Sequence, residues 1–201
     1  MVNVHTEQET SALRNNIVEA ARNRFLIYGV GKTTMNEIAE DVKMTAGNLY
    51  RYFENKKDIA AACALACISE SCEKLNEIAD NGSLSAREQL TQYVLTLLEL
   101  NIEMSQEQPK LGELIEFVSR ERQEMIVFHV ESQAHIIGKI LTRGNSTQEF
   151  EVRDIVQTAK TIYSSLVLFD IPNFLHVYPK DEFRRLARSL VELLINGLAK
   201  K

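Results

Sequence analysis

The chain has 201 residues, 45% of them apolar and 25% charged, which is ordinary globular composition and enough length for one or two domains with a sizeable core. A net charge of −5 excludes a general nucleic-acid coat, and three cysteines, an odd number, argue against a disulfide framework. The polar start from Met1 to Thr10 lacks the basic and apolar blocks of a secretory segment. The longest apolar run, ten residues from Ile59 to Ile68, falls short of the roughly twenty that a membrane span needs, so the chain reads as cytoplasmic.

The first sharply patterned stretch, Thr34 to Phe53, reads as two short helices joined by a tight turn. Thr34 can cap the first helix while Glu37, three residues on, closes a capping box. Met35, Ile38, Ala39 and Val42 then fall on one face at i, i+3, i+4 and i+7. Thr45 caps the second helix, Ala46, Leu49, Tyr50 and Phe53 repeat the stripe, and Met44 fits the angle between the faces. The opposite face carries Gly47, Asn48, Arg51 and Tyr52, followed by Lys56 and Lys57. A small residue lets the backbone approach base edges, Asn can pair bidentately with adenine, and Arg, Lys and Tyr suit phosphate oxygens. Residues 10 to 57 hold eight Lys and Arg against five Asp and Glu, so an acidic chain places +3 here and −8 elsewhere.

The remaining pattern is helical, with breaks expected at Asn81-Gly82, Pro109, Arg143-Gly144-Asn145 and Ile171-Pro172. A helix from about Lys57 to Ile78 is apolar all round in its first half, which implies burial on several sides. Two further capping boxes, Ser85 with Glu88 and Ser146 with Glu149, open helices that run to about Ser105 and Ile171. Leu111, Leu114, Ile115 and Val118 mark a short helix between them, before a longer one from about Arg120 to Leu141. The last two helices, about 149–171 and 180–198, carry long apolar stripes that suit either an intrachain core or a two-fold partner supplying the same pair. No strand-like alternation interrupts, so the fold class is all-α.

Residues 17 to 59 resemble the DNA-binding domain of TetR-type transcriptional regulators. The family pattern, a first helix ending near Phe-x-x-x-Gly, then Thr-Thr, Ile-Ala and Leu-Tyr-x-x-Phe-x-x-Lys, is filled by Phe25 and Gly29, Thr33 and Thr34, Ile38 and Ala39, then Leu49, Tyr50, Phe53 and Lys56. One position departs: Lys43 stands where the family has a turn glycine, and a left-handed backbone there would cost roughly 1 kcal/mol. The resemblance implies a three-helix DNA-binding domain over residues 1–56 and a helical dimerisation and effector domain over 57–201. It implies phosphate contacts for Thr34, Tyr50, Tyr52 and Lys56, base-facing positions for Asn36, Ala46, Gly47 and Asn48, either role for Arg51, and a place at the interface for the cap Thr45. Dimerisation through the last two helices would then use Ile155, Ala159, Ile162 and Leu166 with Leu186, Leu190 and Leu194. An effector is expected among the middle helices, where Tyr93, Asn101, Phe117, His129 and Gln133 are polar or aromatic residues beside apolar stripes. The function implied is a repressor that binds a palindromic operator as a homodimer and is released by a small molecule. The alternative is an architectural or protein-interaction factor of the same fold without a switch.

Enzyme readings fail on spacing. His129-Val130-Glu131 has no Pro-Cys-x-x-Cys after it, and His129 and His135, six apart, do not share a helix face as a zinc pair must. No phosphate-cradling glycine loop or nucleophile elbow appears, and neither cofactor nor metal is expected. Cys63 and Cys67 share a face, but among alanines they read as small, inert core residues.

Overall fold

The computed structural model describes residues 4–108 and 110–200, with side chains from Thr10 onward; the break expected at Pro109 lies outside the described residues. Among the described residues the regular structure is helical: α1 (Val4–Tyr28), α2 (Met35–Asp41), α3 (Ala46–Leu49), α4 (Lys56–Asp80), α5 (Ala86–Glu107), α6 (Leu111–Glu121), α7 (Gln123–Ser146), α8 (Ile155–Ser165), α9 (Val167–Asp170) and α10 (Lys180–Leu198), with a 3-10 turn at Pro172–Phe174 and no strand. Contacts divide the chain into two units. One comprises residues 1–67 and 108–125, the other 68–107 and 126–201.

In the first unit, Ile17, Phe25, Ile38, Leu49 and Ile59 are fully buried and Phe53 nearly so, bringing α1, α2, α3 and the start of α4 around one core. Gly29 ends α1 at φ 87, where a Cβ would stand 2.5 Å from Glu113 Oε2. The capping box at Thr34 is complete: its hydroxyl oxygen accepts the Glu37 amide at 3.3 Å, and its own amide donates to Glu37 Oε2 at 2.8 Å. α2 ends in a Schellman motif, the Met44 amide donating to Ala39 O at 2.9 Å and the Lys43 amide to Glu40 O at 3.0 Å. Lys43 sits at φ 55, the left-handed conformation its place in the turn requires. Tyr50 departs from its expected stripe. Tyr50 caps α3 in helical conformation, its amide donating to Ala46 O at 3.0 Å, yet it is 51% exposed while Leu49 and Phe53 are buried.

The second unit has its own core, in which Leu90, Val94 and Leu98 of α5 join Ile137 and Ile140 of α7, Leu166, and Phe183 and Ala187 of α10. Arg184 clasps Glu99 through Nε at 2.7 Å and a second nitrogen at 2.9 Å, fixing α10 against α5. The box of Ser85 and Glu88 forms as expected. The one expected at Ser146 and Glu149 does not: α7 runs through Arg143-Gly144-Asn145 to Ser146, whose hydroxyl donates back to Arg143 O. Glu149 instead caps α5, accepting the amides of Ala86 at 3.0 Å and Arg87 at 3.2 Å. Gly144 permits this path, since a Cβ there would lie 2.0 Å from the Phe150 ring. The expected helix over 149–171 is accordingly shorter. Asp154 caps α8 through the Gln157 amide, and the helix breaks at Leu166 before α9.

Candidate nucleic-acid interface

The residues expected to meet DNA lie on or beside α2 and α3 of the first unit, except Lys56, which opens α4. Thr45 caps α3 by accepting the Asn48 amide at 3.2 Å. Gly47 faces open space, with no atom within 4 Å of where a Cβ would stand. Thr34, Asn36, Thr45, Tyr50 and Arg51 are exposed; Ala46, Asn48 and Tyr52 are half-buried. Beneath this face the support is specific. The Arg14 guanidinium lies 4.4 Å from the Phe53 ring centroid, and Arg24 joins α1 to α2 through Asp41 at 2.9 Å and Glu37 at 3.4 Å. The hydrogen bond from Arg24 holds the Asp41 carboxyl below its ordinary range, and the Thr34 amide and hydroxyl do the same for Glu37. Lys56 stands apart from the other cations: it is half-buried and its ammonium donates to Val30 O at 2.6 Å and Thr33 O at 2.7 Å.

Of the residues proposed for an effector, Tyr93, Asn101, His129 and Gln133 lie in the second unit, whereas Phe117 lies half-buried on α6 of the first. The Tyr93 hydroxyl donates to Gln133 Oε1 at 2.6 Å with both side chains fully buried, and Asn101 Nδ2 donates to Phe169 O at 3.0 Å. His129 Nε2 meets Asp170 Oδ2 at 2.7 Å, an oxygen that also accepts the Tyr163 hydroxyl at 2.5 Å. Burial, then the Asp170 charge, pushes both the Tyr93 and Tyr163 hydroxyls well up, so both stay neutral donors. Two buried nitrogens one helical turn apart, Gln133 Nε2 and His129 Nδ1, have no hydrogen-bond partner. Sequence reasoning missed Tyr163 and Asp170, because the contacts of Asp170 with residues 129 and 163 depend on the turn at Leu166.

Of the residues expected at a dimer interface, Ala159, Ile162 and Leu166 are at most 2% exposed and packed in the core of their own unit. Ile155, Leu186, Leu190 and Leu194 are half-buried. The outward apolar residues of the same helices are Val156, 68% exposed, and Leu193, 70% exposed. Leu193 could have been found: it lies three residues from Leu190 and seven from Leu186, the spacing of one helix face.

A separate cleft of about 810 Å³ is lined by α7, α8 and the end of α4, with Lys139 paired to Asp80 and Lys160 lying 3.9 Å from Glu131. Burial, with Cys67 adding to it, pushes the Cys63 thiol up to about 12, which withholds the thiolate that metal binding or oxidation requires. Among the described residues no His, Cys, Asp and Glu group could hold a metal ion, and no helix is long and apolar enough to cross a membrane.

Two family models match this chain. The model for bacterial regulatory proteins of the tetR family covers residues 17–63, and that for the tetracyclin repressor-like C-terminal domain covers residues 86–191, more than half the chain. A stretch of 54 residues is 39% identical to the probable acrEF/envCD operon repressor of Escherichia coli K12, over 27% of this chain and 24% of that protein. The match thus spans about a quarter of that relative's length. In fold, the chain is similar to the crystal structure of a TetR-family transcriptional regulator from Pectobacterium atrosepticum, with TM-score 0.73, 21% identity and coverage of 96% and 97% of the two chains. It is also similar to RolR, crystallised with the ligand resorcinol, with TM-score 0.67, 18% identity and coverage of 93% and 89%.

Proposed function

The chain belongs to the TetR family of bacterial transcriptional regulators, and from that membership we propose that it is a cytoplasmic repressor that binds a palindromic operator as a homodimer and is released by a small molecule. The observation that carries this reading is the outer face of the first unit. Gly47 leaves room for DNA, Asn48 and Asn36 offer amides to base edges, and Arg51, Tyr50, Tyr52 and Thr34 offer donors to phosphates. In this reading residues 1–56 form the DNA-reading head and residues 57–201 the dimerisation and effector domain.

One short recognition helix covers few base pairs, so two related by a two-fold axis, set to half-sites about 34–36 Å apart, supply the specificity. Val156 on α8 and Leu193 on α10, with the half-buried Ile155, Leu186, Leu190 and Leu194 of the same helices, are the apolar residues that such a pairing would cover. The effector reading rests on His129 and Gln133. Their unpartnered nitrogens would bind a small ligand's oxygen, and RolR, of the same fold, was crystallised with a small phenol. α4 is one unbroken helix, with Lys56–Cys67 in the first unit and Ile68–Asp80 in the second, so a ligand that shifts it can lower DNA affinity by a coupling of roughly 1–3 kcal/mol. Genome-wide mapping of bound DNA tests the proposal. Bound sites should share an inverted repeat; scattered sites without one would favour the architectural alternative.

A further inference from the structure

The side-chain amide of Gln133 is only half used by the fold. Its Oε1 accepts the Tyr93 hydroxyl at 2.6 Å, with both side chains fully buried, and its Nε2 has no partner. One helical turn back on α7, His129 meets Asp170 Oδ2 through Nε2 at 2.7 Å, and its buried Nδ1 is also without a partner. Residues four apart share a helix face, so both nitrogens belong to one face of α7. The Tyr163 hydroxyl donates to the same Asp170 oxygen at 2.5 Å, and its ring meets the imidazole edge to face with centroids 5.7 Å apart. These contacts fix the imidazole. An ionised carboxylate only accepts, so Nε2 is the donor of the pair and Nδ1 is left for something else.

We propose that Gln133 Nε2 and His129 Nδ1 together bind the hydroxyl of a neutral, largely apolar effector, a phenol or an alcohol. The inference deepens the effector reading above and rests on it. A buried polar nitrogen left unmatched costs about 1–3 kcal/mol, so the site favours a ligand oxygen that matches both. A hydroxyl does so in either protonation state of the imidazole: it accepts from Gln133 and donates to a bare Nδ1, or accepts from both when Nδ1 carries a proton. A ketone or ether matches only the charged ring. A carboxylate needs that charged ring too, and it brings a second negative charge beside Asp170, whose one ion-pair partner among the described residues is His129. The reach of the Asp170 charge shows in its neighbours, since after burial it is what pushes the Tyr93, Tyr163 and Cys72 acids up. Tyr93, Tyr163 and Phe169 belong to the apolar core of the second unit, which suits the body of such a ligand.

Three ligands of one shape separate the classes: para-cresol, para-toluate and para-xylene, titrated at millimolar concentration into the isotope-labelled full chain with the Gln133 side-chain amide as NMR reporter. Para-cresol should shift the Gln133 amide and the His129 ring signals and bind at least about tenfold more tightly than either companion, the equivalent of one hydrogen bond. Equal or tighter binding of the toluate or the xylene would overturn the inference, and so would a Gln133 amide that answers to none of the three. Gln133→Met should abolish the advantage of para-cresol over para-xylene while para-xylene binds as before; an unchanged advantage would overturn the inference. Where that variant fails to fold, Tyr93→Phe with Gln133→Met removes donor and acceptor together and carries the same comparison. Operator release is measured separately. Para-cresol that binds as expected but leaves operator affinity unchanged would sink the effector reading and leave the ligand class standing, whereas release by para-toluate alone would keep the effector reading and overturn the class.

Discussion

Lys43 shows how far a single residue can be read from sequence. The turn needs a left-handed residue, the chain supplies a lysine, and the backbone adopts φ 55 regardless, held by the two Schellman hydrogen bonds. Lys43→Gly should therefore stabilise the protein by up to about 1 kcal/mol, less the extra chain entropy of glycine, read as a higher urea midpoint with unchanged slope. A lower midpoint would show that the lysine has contacts worth more than the strain. Tyr93 argues the opposite case, of a side chain that the core requires. Tyr93→Phe keeps the ring but leaves Gln133 Oε1 buried without its donor, at a cost of about 1–3 kcal/mol in denaturant unfolding. Tyr50 shows the limit of periodicity: it lies one turn after the half-buried Ala46, at the edge of the buried face that Leu49 and Phe53 centre, and spacing alone does not tell the edge of a stripe from its middle.

Helix starts that depend on neighbouring residues were legible, and those that depend on distant ones were not. Thr34 with Glu37 and Ser85 with Glu88 cap within three residues and form as read. Glu149 fits the same pattern with Ser146 but serves α5, 63 residues away in sequence, a pairing that local spacing cannot reveal. Burial raises the Glu149 carboxyl, yet the Ala86 amide, the Thr147 hydroxyl and the Arg87 amide outweigh it and hold the group below its ordinary value. A depressed carboxyl contributes stability that is complete above its unfolded pKa, near 4.3, and lost as pH falls through the lower folded value. Glu149→Gln should cost about 1 kcal/mol at pH 7, and the gap to wild type should close on acidification below about pH 4. A gap independent of pH would mean that the charge is not what caps α5. The pair α8 and α10 separates two kinds of apolar residue that sequence treats alike. Val156→Glu and Leu193→Glu should yield folded monomers by sedimentation, whereas Leu166→Glu, buried in its own unit, should unfold the chain. Folded dimers from both surface variants would place the interface elsewhere.

Across the chain, helical periodicity and capping carry the all-α fold and the resemblance of residues 17–59 carries the regulator, because all of these are local signals. Two polar clusters, Tyr93 with Gln133 and Asp170 with His129 and Tyr163, were only half visible, since the first joins α5 to α7 and the second joins α7 and α8 to α9. If these clusters hold the effector, thermodynamic reciprocity applies: operator DNA must weaken effector binding by the same factor that effector weakens operator binding. Titration of a compound with and without saturating operator should show this factor, and equal affinities would exclude that compound as the switch.

The most direct test of the central claim is in vitro selection from a random duplex pool with the wild-type protein and with Asn48→Ala, sequenced side by side. The wild type should enrich an inverted repeat with half-sites about one helical turn apart. Asn48→Ala should keep the repeat and its spacing but relax base preference at the same position in each half-site, a loss of about 1–3 kcal/mol of discrimination. Enrichment of an asymmetric site, or a variant that keeps the wild-type preference at every position, would contradict the assignment of α3 as the element that reads DNA in a two-fold dimer.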